Sequence, residues 1–215
     1  ATSLDGMIAL GDGAKRWMTG PAMRRYVHLQ RSRSDGLLSA IGTVLADDPE
    51  FTCRTPGLEG DSPHRFILDA NLRTPPDARL LASAPEVGLT IFCREDSDQQ
   101  AAVALREAGA EVQSVATDSA GRLALGDVMQ AVAETGCGNL MVEGGGKLGA
   151  SLLRDGHVDR ILWTRSAHLI GHDGIPAIGP LGTTGLPEAP AFTVTSEGRF
   201  AGDRFILLER PADIG

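Results

Sequence analysis

The chain reads as an α/β protein with a mixed, mostly parallel sheet, flanked by helices and closed by a C-terminal antiparallel hairpin. Three observations carry that reading. Short apolar runs alternate with helix-forming segments between Thr19 and Arg154. One run, Asn139 to Val142, passes directly into Gly144-Gly145-Gly146 and a further helical stretch. Beyond it, Ala191 to Glu197 and Arg204 to Glu209 alternate around Gly198 to Gly202, the pattern of a hairpin. Strand–helix alternation favours parallel pairing, because a parallel connection needs a crossover long enough to hold a helix.

Each element has a local reason. Thr19 to Ser32 is expected to be helical: Thr19 suits an N-cap, Pro21 the first turn, and Met23, Val27 and Leu29 supply apolar positions. Gly36 to Ile41 is a short apolar strand, and Thr43 to Asp48 a brief helix that Pro49 ends. Arg65 to Leu68 and Leu89 to Cys93 are short runs of the kind a parallel sheet buries on both faces. Gln99 to Ala108 is helical and stops at Gly109, a C-cap glycine. Val112 to Ala116 is the next strand and Leu125 to Glu134 the next helix. After the triple glycine a helix runs from Lys147 to Arg154, and Arg160 to Thr164 is strand-like. His172 to Pro190 is a glycine- and proline-rich excursion. No repeat, low-complexity tract or linker divides the chain, so one domain over residues 1–215 is expected.

Composition narrows the function classes. The net charge of −8 argues against a nucleic-acid or anionic-membrane surface. No apolar run approaches the roughly 20 residues that span a bilayer. The expectation is a cytoplasmic protein with no nucleic-acid and no membrane partner. An anionic substrate would have to be met by a few placed cations, so individual arginines matter. Cys53, Cys93 and Cys137 have no metal-ligand spacing and read as reduced thiols, and the five histidines form no zinc pattern. No metal is expected.

Several residues carry chemistry. In Gly42 to Arg54, GTVLADDPEFTCR, paired carboxylates at Asp47 and Asp48 stand just before a proline. That segment is either a helix ending in a solvated acidic turn or a place where a ligand meets negative charge. The strand–GGG–helix unit is either a tight turn or an anion site, since glycines allow close backbone approach and the helix start favours a diphosphate. Its spacing is not that of a Rossmann fingerprint, and no acid follows at the distance that would hold a ribose. Glu143 ends the strand, as a solvated terminus or facing a ligand. Arg31 and Arg54 suit phosphate, because a planar guanidinium gives parallel charge-assisted bonds; Arg31 reads equally as a cation at a helix C-terminus. Trp17 lies in a polar turn, GDGAKRWMTGP, rather than in a packed stripe, and a core residue is its default reading.

Four blocks occur in order: SLDG at Ser3 to Gly6, KRWMTGPAMRR at Lys15 to Arg25, GTVLADDP followed by Arg54, and LMVEGGGKLGASLL at Leu140 to Leu153. With them the chain, from Thr2 to about Leu208, resembles the reductase domain of the bifunctional riboflavin-biosynthesis deaminase/reductase. The resemblance implies a dihydrofolate-reductase-like fold and NADPH-dependent reduction of 5-amino-6-(5-phosphoribosylamino)uracil to the ribitylamino product. It implies cofactor contacts at Ala1, Thr2, Trp17, Thr43, Asp47 and Ala70, and along Gly145, Gly146, Lys147, Leu148, Gly149, Ala150 and Ser151. It implies substrate contacts at Lys15, Arg31, Phe51, Arg54 and Glu143, the two arginines gripping the ribose 5-phosphate. Glu143 or Asp47, or a water held by one of them, is expected to assist proton delivery. Arg73 is a candidate for the cofactor's 2′-phosphate. A homodimer is expected.

The family usually carries a lysine two residues before the position of Ala1, so the expectation is either a domain of a longer product, with a deaminase domain upstream, or a sequence that begins late. The zinc deaminase signature is absent from this chain. Three alternatives stand: the related diaminopyrimidinone ribosyl reductase acting before deamination, a pterin reductase of the same fold, and a non-catalytic nucleotide-binding module. The arginine pair argues against a pterin, which needs no ribose-phosphate clamp.

Overall fold

The computed structural model describes residues 1–11 and 17–211. Among the described residues seventeen strands and α-helices follow in chain order. They are β1 (Met7–Ala9), α1 (Pro21–Arg31), β2 (Gly36–Ala40), α2 (Ile41–Asp47), β3 (His64–Leu68), α3 (Arg79–Ala82), α4 (Ala84–Val87), β4 (Leu89–Cys93) and α5 (Gln99–Glu107). Then come β5 (Glu111–Ser114), α6 (Leu125–Glu134), β6 (Leu140–Val142), α7 (Gly146–Arg154), β7 (Arg160–Arg165), β8 (Ile175–Pro176), β9 (Thr193–Phe200) and β10 (Asp203–Glu209). They fall into two compact units, Val27–Gly144 on one hand and Ala1–Tyr26 with Gly145–Gly215 on the other.

The Val27–Gly144 unit is built on a five-stranded parallel sheet in the order β5-β4-β3-β2-β6. Successive residues of a strand point to opposite faces, and the core divides accordingly. Leu37, Ile67, Ile91 and Cys93 join one cluster with Ala102 and Leu105 of α5. Leu38, Phe66 and Phe92 join the other with Val128, Ala131 and Val132 of α6. Burial on both faces explains why β2, β3 and β4 read as continuous apolar runs. Each fully buried Leu, Ile or Phe there contributes about 1.5–3 kcal/mol. Asp98 caps α5 by accepting from the backbone N–H groups of Gln100 and Ala101.

In the second unit, β7, β10 and β9 form an antiparallel sheet, and β1 pairs with β8. The expected hairpin is present but longer. Gly198 to Phe200 belong to β9, and the turn tightens to Ala201-Gly202. The cause is packing: Gly198 faces Phe205 across the pair, and a β-carbon on it would lie 2.6 Å from the ring. Tyr26 completes an aromatic group with Phe200 and Phe205, at ring centroid distances of 5.0 and 5.2 Å. The glycine- and proline-rich excursion from His172 to Pro190 contributes β8.

Candidate active site

The chain runs β2, β3, β4, β5 outward across the parallel sheet and then returns to place β6 on the other side of β2. Ligands of open α/β sheets gather beyond the carboxyl ends of the strands at such a reversal. The residues that follow β2 and β6 are α2, with Thr43 half-buried and Asp47 exposed, and Glu143. The Glu143 backbone N–H donates to the Leu38 carbonyl at 3.0 Å, which fixes the end of the strand.

Two residues singled out separately in the sequence are bonded to each other. Arg31 Nε and Nη2 donate to the two oxygens of Glu143 at 2.6 and 2.7 Å, and Nη1 donates to the Thr52 carbonyl at 2.9 Å. Arg31 is only 9% exposed. Burial works against its charge, but the bonds and field of Glu143 outweigh that and hold its pKa above the ordinary arginine value. Phe51 is buried, adopts a left-handed backbone with φ of 57°, and lies 5.9 Å from the Arg31 guanidinium carbon. An aromatic residue at positive φ is costly and persists only where its surroundings over-determine it.

The same loop carries Arg54, exposed, whose Nη1 donates to Glu50 Oε2 at 2.9 Å. Its backbone N–H donates to His28 Nδ1 at 3.2 Å. His28 is therefore placed beside both arginines, and its pKa is lowered by burial first and by Arg31 and Arg54 next. Nothing in the sequence reading singled out His28. The available signal was its position three residues before Arg31 on a helix, which puts both on one face.

Asp48, unlike the exposed Asp47, has a partner that the structure shows. It turns into the left-handed region at φ of 45°, and its Oδ1 accepts the backbone N–H of Arg79 at 2.9 Å. Ala70 is half-buried beyond β3, and its carbonyl accepts from the Arg94 N–H and the Ser97 hydroxyl. Arg73 is exposed nearby in the chain.

In the second unit, α7 opens at the triple glycine. A β-carbon on Gly146 would lie 2.6 Å from the Pro176 carbonyl oxygen, so that glycine is required by the 176–179 segment packed on it. A β-carbon on Gly145 would meet nothing within 4 Å. The helix ladder begins with the Leu148 N–H bonding to the Gly145 carbonyl, so the amides of Gly146 and Lys147 precede it. Leu148 and Ala150 turn their side chains into the interior, Lys147 is exposed, and Gly149 and Ser151 are half-buried. Thr2 is buried, exchanging backbone bonds with Thr164 and Ser166, while Ala1 is exposed. Trp17 is 76% exposed and lies under the Arg24 guanidinium at 4.5 Å, which rules out the core reading. It lines a cleft of about 530 Å³ with Met18, Pro21, His168, Phe200 and Asp203. Lys15 lies outside the described residues. Among the described residues no group of three or more His, Cys, Asp or Glu side chains could hold a metal. No described helix is long and apolar enough to cross a membrane.

Residues 1–196 match the model of the RibD C-terminal domain. The chain belongs to that family.

Among its relatives, riboflavin biosynthesis protein RibD of Actinobacillus pleuropneumoniae is 32% identical over 188 residues, 87% of this chain and 48% of that protein. The 2,5-diamino-6-ribosylamino-4(3H)-pyrimidinone 5′-phosphate reductase of Methanothermobacter thermautotrophicus is 35% identical over 162 residues, 75% of this chain and 72% of that one. The chain spans about half the length of the RibD relatives it matches. The solved structure of Acinetobacter baumannii RibD shares the fold, with a TM-score of 0.82 at 21% identity over 98% of this chain and 56% of that one. The RibD C-terminal fold is thus the mixed α/β, dihydrofolate-reductase-like architecture expected from the sequence.

Proposed function

We propose that this RibD C-terminal domain is an NADPH-dependent reductase of riboflavin biosynthesis that converts the ribosyl group of 5-amino-6-(5-phosphoribosylamino)uracil to a ribityl group. The observation that carries the reading is the Arg31–Glu143 pair at the reversal point of the sheet, with Arg54 on the adjoining loop. It brings two guanidiniums, each held by a carboxylate, to one place in a protein of net charge −8. Those arginines would hold the sugar phosphate through charge-assisted bonds, while Glu143 fixes the Arg31 fork and orients the ribose. Asp47, exposed at the end of α2, is the carboxylate we assign to proton delivery at the opened sugar.

The Gly145 backbone fits a dinucleotide, since its surroundings are open and the amides of Gly146 and Lys147 stand at a helix start. NADPH, when bound, supplies the hydride. Trp17, exposed in its cleft, would present a flat face to the nicotinamide and exclude water. We assign no residue to the choice of NADPH over NADH beyond Arg73, exposed past β3. A cytoplasmic homodimer, joined in the full product to a deaminase domain, is the assembly we expect.

The second reading is reduction before deamination, favoured by the 35% identity to the diaminopyrimidinone phosphate reductase, 72% of which this chain covers. NADPH oxidation measured with the deaminated and undeaminated pyrimidines side by side tests both. Turnover of the deaminated compound is expected. Preference for the other would establish the second reading, and tight NADPH binding with no turnover of either would leave a non-catalytic module.

A further inference from the structure

Glu50 stands between two guanidiniums. Its Oε2 accepts from Arg54 Nη1 at 2.9 Å and its Oε1 accepts from Arg79 Nη2. Both arginine side chains are open to solvent, at 46% and 58% exposed, while that of Glu50 is 26% exposed. The arrangement is held from beneath by Arg65, which is wholly buried. Its Nη1 donates to the carbonyls of Glu50 and Leu80 at 3.1 and 2.9 Å and to the Ser83 hydroxyl at 2.8 Å. Nη2 reaches the Ser83 carbonyl at 3.1 Å and Nε the Gly88 carbonyl at 3.2 Å. Each of these acceptors is neutral.

A buried cation without a carboxylate on its donors is expensive, and burial brings its pKa down to about 10, which still leaves it charged at pH 7. What that charge secures is position. Arg65 ties the backbone of Glu50 to the carbonyl of Leu80, the neighbour of Arg79, and Asp48 Oδ1 holds the Arg79 backbone N–H. Two solvent-facing forks are thereby fixed at one carboxylate, with a third positive charge under them. For Glu50 itself, burial disfavours the ionised form, but Arg54 and Arg79 outweigh it and hold the pKa below the ordinary carboxylate value. With Asp48 on the Arg79 backbone and Glu86 near Arg65 counted, the group is close to neutral, but what it presents to solvent is two guanidinium forks on one carboxylate. It matches an anion with more charge and more acceptor oxygens than a carboxylate, that is, a phosphate monoester.

We infer that Arg79 is a further phosphate ligand, acting with Arg54 as a two-fork clamp, and that the Glu50 carboxylate occupies the place between the forks from which a phosphate displaces it. The inference rests on the reading of Arg31 and Arg54 as a sugar-phosphate site. It adds a residue and an internal competitor to that site, so Glu50 sets how tightly phosphate is held rather than holding it. Arg79 lies 25 residues beyond Arg54 in the chain and outside every motif of the sequence, which is why only the fold exposes it.

Calorimetric titration of the full chain with D-ribose 5-phosphate at low salt tests the inference, because it needs neither cofactor nor turnover. Arg79→Ala should weaken binding about tenfold, the low end for losing a charge-assisted bond. Arg79→Lys keeps the charge without the fork and should weaken it by about threefold. Glu50→Gln should tighten binding by about threefold, as expected when an exposed competing ion pair is removed. Arg122→Ala, which removes an exposed arginine paired with Asp118 and with none of these residues, should stay within about twofold of wild type. Normal binding by Arg79→Ala while Arg54→Ala loses it overturns the inference and leaves the site standing. Unchanged or weaker binding by Glu50→Gln overturns the displacement. A wild-type chain that fails to bind ribose 5-phosphate, or an Arg54→Ala chain that binds it normally, overturns the sugar-phosphate reading together with the inference. Should Arg79→Ala fail to fold, the Lys and Gln variants decide.

Discussion

Glu143→Gln probes the Arg31–Glu143 pair with the least change of shape. The wild-type carboxylate accepts from Arg31 Nε and Nη2 at once. The amide keeps one acceptor and turns an NH₂ group toward the other guanidinium nitrogen, so one donor of a 9% exposed arginine is stranded. A hydrogen bond to a charged group contributes about 1.5–3 kcal/mol. The Glu143 side chain is 22% exposed, and screening through that opening favours the lower half of the range, about 2 kcal/mol. In a domain of this size that corresponds to a fall in Tm of about 4–8 °C. Thermal unfolding at pH 7 measures it directly. The double variant Arg31→Met with Glu143→Leu should recover most of the loss, because the buried charge leaves with its partner. It should not recover binding of the phosphorylated pyrimidine, and Glu143→Gln should raise its KM and lower kcat together, since Arg31 loses its orienting partner. A Glu143→Gln melting temperature within about 1 °C of wild type would show that the pair holds nothing in place. A double variant as unstable as the worse single one would show that packing, not the stranded charge, sets the cost.

Gly145→Val should give a folded chain that fails to bind NADPH in a fluorescence titration, whereas Gly146→Val should lower the melting temperature sharply, its β-carbon meeting the Pro176 carbonyl at 2.6 Å. Normal NADPH binding by a folded Gly145→Val chain would remove the diphosphate from that helix start. His28 and His64 both have pKa values below the ordinary 6.5 in the folded chain, chiefly through burial. Below pH 6.5 the unfolded chain therefore binds protons that the folded chain does not, so stability falls as pH drops from there and levels once the folded groups titrate. Denaturant midpoints between about pH 7 and 5 should show that slope reduced in His28→Gln, and an identical slope would refute the assignment. Asp47→Asn should lower kcat by about 10²-fold while leaving ribose 5-phosphate affinity unchanged, and full turnover would move proton delivery elsewhere.

What the sequence made legible was local. The helix over Leu125 to Glu134 and the strand over Leu89 to Cys93 have the same bounds in the structure, because periodicity and flanking residues decide them. The short β1–β8 ladder was invisible: it pairs Met7 with Pro176, and no local propensity marks a two-residue strand. Gly198 was misleading for a related reason, since a glycine signals a turn unless an aromatic residue packs over it from the facing strand. Arg31 and Glu143 each stood out by type and place, but their bond joins residues 112 apart, and only the parallel register that sets β6 beside β2 brings them together. The glycines of the α7 turn looked equivalent in sequence. Their difference lies in the 176–179 segment, packed against Gly146 and not against Gly145.

The arginines of the Val27–Gly144 unit differ in how exchangeable their partners are. Arg31 is held by two short bonds to Glu143 and a third to a carbonyl, nearly out of reach of water. An incoming phosphate gains little by competing for such a fork, because the carboxylate it displaces would be left unpaired. Arg54 and Arg79 share one carboxylate and keep about half of their side-chain surface in solvent. Exposed pairs of that kind contribute only about 0.2–1 kcal/mol. Trading Glu50 for a dianion there costs little and gains charge. On this reasoning Arg31 meets the phosphate without giving up Glu143, while Arg54 and Arg79 exchange Glu50 for it, so their contributions separate by salt. Raising ionic strength should erode the binding that depends on Arg54 and Arg79 well before it disturbs the buried Arg31–Glu143 pair.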